Sequence, residues 1–186
     1  VTFLENTSDY RRHLREADRC HGTGAEEPNP PAAFILAPPG SGAAFVRGLL
    51  VGHPGLFGAS HLNLLNFVDL EQRRRVLEGR GEEWLEGSVR AVMGLKGCDA
   101  RRAREIHESL EGQRLPTRAF YRMMQWWTDG RVLVEATPAY ALDPDALEKA
   151  EHDFRDPVYL HLVRHPSATI SAFADGRTSR VLLPDD

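Results

Sequence analysis

The sequence predicts an α/β fold with a central parallel sheet and a helical insertion, on three observations. Short apolar runs bounded by turn residues, "AAFILA" (32–37), "RVLVEA" (131–136) and "PVYLHLV" (157–163), have the length and content of buried strands. The stretches between them repeat their apolar residues at the 3.6-residue spacing of helices. Strands that alternate with helices build a parallel sheet covered by helices, and such a sheet holds its ligand at the carboxyl ends of the strands.

Each element follows in order. Ser8 is placed to cap an amphipathic helix over 9–19, and "CHGTGAEEPNPP" then supplies glycine, acid and proline for a linker, so residues 1–31 read as a helix and a Pro/Gly-rich connection. The main domain, 32–186, opens with the "AAFILA" strand, stopped by Pro38-Pro39. "GAAFVRGLLVG" alternates small and large residues at helical spacing. Four further helices are expected at 69–78, 82–95, 99–111 and 117–128, the last with Thr117 as cap and Gly130 as stop, together a helical insertion or lid. The strand at 131–136 leads to a helix at 144–154 with Asp143 as cap and Pro144 at its first position. The strand at 157–163 and a last helix in "HPSATISAFADG" complete the pattern.

Composition narrows the function classes. With 186 residues, 41% hydrophobic and 27% charged, the chain is long enough for one domain with a sizeable core. A net charge of −4 and a pI near 6.1 supply no basic field, which argues against nucleic acid as partner and makes any anion site local. Cys20 and Cys98 form no C-x-x-C pair and fit a reducing, cytoplasmic interior. No run is long and apolar enough to span a membrane, and the charged start does not read as a secretory leader. A first residue of Val1 suggests a piece of a larger polypeptide.

The chemistry concentrates in a few places. "PPGSG" sits between a buried strand and a helix, the outline of a phosphate-holding loop, in which backbone N–H groups at a helix N-terminus meet the anion. It departs from G-x-x-x-x-G-K-[ST], which argues against ATP or GTP hydrolysis. Arg164 in "LVRHP" leaves a strand at its carboxyl end, placed either to meet an anion or to make a capping or salt-bridge contact. His61, with Asn63 two residues on, is suited to proton transfer near neutral pH, or else is a packed, hydrogen-bonded histidine. His161 and His165 read as packing or capping residues, and the histidines and cysteines show no metal-ligand spacing. At least one of Trp126 and Trp127 is expected in the core. "EQRRR" and "DARRARE" read as solvated helix faces, with a docking patch for an acidic carrier protein as the other reading.

Taken together, "FILAPPGSGAAFVRGLLVGHPGLFGASHLNLLNF", "VMGLKGCDA", "LVEATPAYALDPDALEKA" and "DPVYLHLVRHPSATISAF" resemble the sulfotransferase domains of modular polyketide synthases, over about residues 32–175 and in the same order. The resemblance implies a P-loop-like, three-layer α/β fold. It implies binding of 3′-phosphoadenosine 5′-phosphosulfate (PAPS) and transfer of its sulfonate to a β-hydroxyl on a chain tethered to an acyl carrier protein, after which a neighbouring thioesterase forms a terminal alkene. Partners would be that carrier protein and the adjoining synthase domains. The family's domain continues beyond this point, so 32–186 reads either as part of a longer domain or as one shortened at its C-terminus.

The departures fall on the positions the resemblance marks as functional. The family's phosphosulfate loop reads roughly P-P-R-S-G-S-T; here Gly40 stands at the basic position and Ala43 and Ala44 at the hydroxyl positions, leaving Ser41, Gly42 and the backbone amides. Arg164 matches the family's arginine for the 3′-phosphate, but the serine eight residues on is Ala172, with Ser171 one place off and about 100° around a helix. The family's glutamate and histidine in E-L-H become His61 and Asn63, and the lysine and serine in K-T-P-S-Y become Ala136 and Ala139. A charge-assisted hydrogen bond contributes roughly 1.5–3 kcal/mol, so the missing groups together would cost on the order of 4–8 kcal/mol of cofactor affinity. The expectation is a degenerate sulfotransferase-like domain that does not use PAPS and has a structural or docking role. Two rivals stay open: an active PAPS-dependent enzyme relying on Ser41, Arg164 and backbone amides, and a repurposed one acting on a tethered acyl chain through His61.

Overall fold

The computed structural model describes residues 27–79 and 82–174. Four strands, β1 (Ala32–Leu36), β2 (Leu56–Ser60), β3 (Val132–Ala136) and β4 (Val158–His161), form one sheet in the order β2-β3-β1-β4, and every pair in it is parallel. The helices are α1 (Ala43–Leu50), α2 (Leu70–Leu77), α3 (Glu82–Lys96), α4 (Ala100–Gly112), α5 (Thr117–Trp127), α6 (Pro144–Asp153) and α7 (Pro166–Ala174), with a 3₁₀ turn at Pro138–Leu142. The α/β class and the parallel sheet are those expected from the alternation of runs. The helix expected over 9–19, most of the linker and the end of the chain lie outside the described residues.

The period-2 alternation of the strands divides the core in two. On one face Ala32, Phe34 and Leu133 meet Val89 and Val92 of α3, Phe120, Tyr121 and Met124 of α5, and Ala146 and Ala150 of α6. Phe34 is the hub: it meets Tyr140 and Phe154 edge-on at 6.3 and 5.4 Å and stacks on Tyr159 at 6.0 Å. On the other face Ala33, Ile35, Val134 and Ala136 pack under Ala43, Val46 and Leu50 of α1. Helices thus cover both faces, and the insertion between β2 and β3 forms one of the outer layers rather than a lid.

Three expectations need correction. β2 was not foreseen, because "LFGAS" is short, holds a glycine and ends on a hydroxyl, so no apolar run announces it. It forms because β3 offers it a full register from Leu56↔Val132 to Ser60↔Ala136. Thr117 does not cap α5 but is its first residue, and its hydroxyl donates to the Phe67 carbonyl at 2.8 Å, tying the helix to the segment before α2. "EQRRR" is not wholly a solvated face: Arg73 is completely buried. Asp143 caps α6 as read, its Oδ1 accepting from the Asp145 amide at 3.1 Å with Pro144 following.

Candidate functional site

β1 leads through α1 to β2, and β3 leads through α6 to β4, so the connections of the neighbouring strands β1 and β3 leave in opposite directions and over opposite faces. That is a topological switch point, where an open parallel sheet forms its ligand crevice. The loops leaving the carboxyl ends of the strands carry Gly40–Ala44, His61 and Asn63, Thr137 and Arg164. Topology therefore gathers at one end of the sheet nearly every residue singled out from the sequence.

The β1–α1 loop is built by its glycines. Gly40 and Gly42 have φ of 76° and 93°, left-handed values that cost other residues. Gly42 is also the N-cap of α1, which has no side-chain cap, so the helix opens with the amides of Ala43 and Ala44 directed out of its N-terminus. Ser41 is buried and its hydroxyl donates to the Pro38 carbonyl at 2.5 Å, so its proton serves the turn. Arg164 comes over from beyond β4, and its Nη1 donates to the Gly40 carbonyl at 2.6 Å. The structure thus brings Arg164 to the loop, while Ser171 lies exposed on α7 and Ala172 half-buried beside it.

The segment after β2 is kinked by two non-glycine residues with left-handed φ, His61 at 55° and Asn63 at 49°. The His61 amide donates to the Ala136 carbonyl at 3.2 Å and the Asn63 amide to Thr137 Oγ1 at 3.5 Å. The Asn63 carboxamide is buried and turns back to the His61 carbonyl at 3.4 Å. His61 is half-buried beside it. The kink lies against α3, where a Cβ on Gly87 would stand 2.3 Å from the His61 carbonyl oxygen and 2.6 Å from that of Ser60. Only glycine lets the helix come this close.

Beneath the segment is a buried polar brace that sequence reading missed. Tyr140 Oη accepts from the Leu64 and Leu65 amides at 2.8 and 3.1 Å and donates to Glu135 Oε1 at 2.8 Å. Thr137 Oγ1 donates to the same carboxylate at 2.6 Å and Tyr121 at 2.5 Å. Burial raises the Glu135 pKa, against the opposing pull of these three donors and of Arg73. It raises both tyrosines as well. Arg73 Nε donates to the Leu62 carbonyl at 2.7 Å and Nη2 to the Trp84 carbonyl, and burial pushes its pKa down to about 10, leaving it charged at neutral pH. The signals were a glutamate inside an apolar strand and an arginine on the apolar side of α2, since buried charges demand partners.

Among the described residues no cluster of His, Cys, Asp or Glu is arranged to hold a metal ion, and no helix is long and apolar enough to cross a membrane. Trp126 is exposed while Trp127 packs against the core.

No protein-family model matches the chain, and no curated protein does. Two solved structures do. The sulfotransferase domain from the Synechococcus PCC 7002 olefin synthase is 32% identical with a TM-score of 0.78, the match covering 87% of this chain and 57% of that one. The sulfotransferase domain from the curacin biosynthetic pathway is 33% identical with a TM-score of 0.77, covering 86% and 56%. This chain therefore has the fold of these sulfotransferase domains and spans a little over half of their length.

Proposed function

We propose that the chain is a sulfotransferase-like domain of a polyketide synthase that has lost sulfonate transfer from PAPS and serves as a structural or docking element beside an acyl carrier protein and neighbouring synthase domains in the cytoplasm. The observation that carries this reading is the chemistry of the β1–α1 loop. Gly40, Ala43 and Ala44 have no side-chain donor, the Ser41 proton is committed to Pro38, and Arg164 is held on the Gly40 carbonyl. A phosphosulfate needs several donors and a counter-charge at once, and the side chains present do not fit one. On the acceptor side, Asn63 lacks a titratable group and turns back on the backbone. The brace beneath keeps the fold's shape while the groups above it lack the chemistry.

Calorimetric titration with the desulfonated product, 3′-phosphoadenosine 5′-phosphate, tests the reading. The expected result is no saturable binding in the micromolar range; micromolar binding that Arg164→Ala abolishes overturns it. One observation favours a second reading, an active PAPS-dependent enzyme: α1 opens with uncapped amides next to Arg164, the part of an anion site that needs no other side chain. Sulfonate transfer to a β-hydroxyacyl carrier protein, followed by mass, decides between them.

A further inference from the structure

Glu135 lies on the same face of β3 as Leu133, and its carboxylate accepts from three hydroxyls. Tyr140 and Thr137 donate to Oε1 at 2.8 and 2.6 Å, and Tyr121 to Oε2 at 2.5 Å. All four residues are buried, so bulk water does not replace a partner that is lost. The same hydroxyls hold the kinked segment. Tyr140 Oη accepts from the Leu64 and Leu65 amides, and Thr137 Oγ1 from the Asn63 amide at 3.5 Å. With both amides bound and its own proton on Glu135, the Tyr140 oxygen has no lone pair left. The charged and titratable groups around the carboxylate are Tyr121 of α5, Tyr140 of the 3₁₀ turn and Arg73 of α2. Arg73 in turn faces Glu111 of α4, whose Oε1 is 3.2 Å from His107 Nδ1.

Counting protons gives this cluster two states. An ionised carboxylate only accepts, and it takes all three hydroxyl protons, which is the arrangement observed. A protonated carboxyl also donates, and brings a fourth proton to the same oxygens. Given to Tyr140 Oη, that proton displaces the Leu64 or Leu65 amide. Given to Tyr121 Oη, it turns that phenol's own proton toward Tyr140 Oη, 3.2 Å away, and displaces an amide there. Given to Thr137 Oγ1, it turns the Thr137 proton away from Glu135 and loosens the hydroxyl that holds the Asn63 amide. We infer that Glu135 is a proton-operated latch on the wall of the crevice: ionised, it holds residues 63–65 through Tyr121, Tyr140 and Thr137, and on taking a proton from solvent it releases them. Burial raises Glu135 above the ordinary glutamate range, which moves the change toward neutral pH. The release is local, and distinct from the gain in overall stability that a raised pKa brings on protonation. The segment carries Asn63 and adjoins His61, so the latch sets the shape of the crevice wall whether or not PAPS binds there.

The test follows the full chain by NMR across about pH 4 to 8. The carboxyl carbon shift of Glu135 reads its titration, and amide exchange, corrected for its intrinsic pH dependence, reads protection at Asn63, Leu64 and Leu65. Protection at these three is expected to fall about tenfold as Glu135 takes its proton, while that of Phe34 and Leu133 in the neighbouring strands stays level. Glu135→Gln, neutral and with a donor of its own, is expected to show the released level at every pH. Should that variant fail to fold, the series on the parent chain still decides. Protection at 63–65 that ignores the Glu135 titration, or that falls together with Phe34 and Leu133, overturns the inference. So does a Glu135 that keeps one protonation state across the range, or a folded Glu135→Gln variant that retains the parent's pH dependence.

Discussion

Tyr140 shows how much a single hydroxyl can organise. It accepts from two backbone amides and donates to Glu135, so Tyr140→Phe leaves buried donors unsatisfied. Stability is expected to fall by about 2–4 kcal/mol, read from denaturant midpoints, with exchange at Leu64 and Leu65 rising more than elsewhere. Glu135 makes a pH prediction with a definite sign. Burial raises its folded pKa, so between the ordinary glutamate value and the raised one the native state holds more protons than the unfolded chain. Stability is highest below the unfolded pKa and declines as pH rises through that interval. Glu135→Gln is expected to flatten the decline, checked by urea unfolding across about pH 4 to 8.

The β1–α1 loop and the kinked 61–65 segment act as elements, and each has its own test. Gly40→Arg with Ala43→Ser and Ala44→Thr would return a counter-charge and two hydroxyls to the N-terminus of α1. The left-handed φ of Gly40 costs the new arginine about 1 kcal/mol, so the expected gain in affinity for the desulfonated nucleotide is tenfold or more rather than the full value of the restored contacts. No gain in calorimetry would place the loss of binding elsewhere in the crevice. Gly87→Ala should drive α3 off the 60–61 backbone at a cost of about 1–3 kcal/mol, since the obstructing atoms are carbonyls that cannot rotate away. A melting temperature equal to that of the parent would refute the close approach.

For the molecule as a whole, the two faces of the sheet differ. One is closed by α3, α5 and α6 around Phe34, and Phe34→Ala is expected to remove about 3–5 kcal/mol, seen as a lower urea midpoint at unchanged slope. The other is covered by α1, which packs over β1, β2 and β3. Much of the architecture was legible: β1, β3 and β4 are apolar runs of strand length, and Asp143-Pro144 marks the start of α6 at the observed residue. β2 was not, because its reason to exist is an unpaired edge on β3, which belongs to another part of the chain.

The candidate site divides the same way. The amino-acid sequence alone determined which side chains are absent from the anion loop, because Gly40, Ala43 and Ala44 carry no donor in any conformation. It also determined that Arg164 leaves the end of a strand. Only the tertiary structure decided where the remaining donors are spent: the Ser41 proton on Pro38, Arg164 on Gly40, Arg73 on the Leu62 carbonyl and the Tyr140 proton on Glu135. The physical reason is that composition limits what a residue can donate, whereas the partner it meets is set by contacts between segments as far apart in the chain as Gly40 and Arg164.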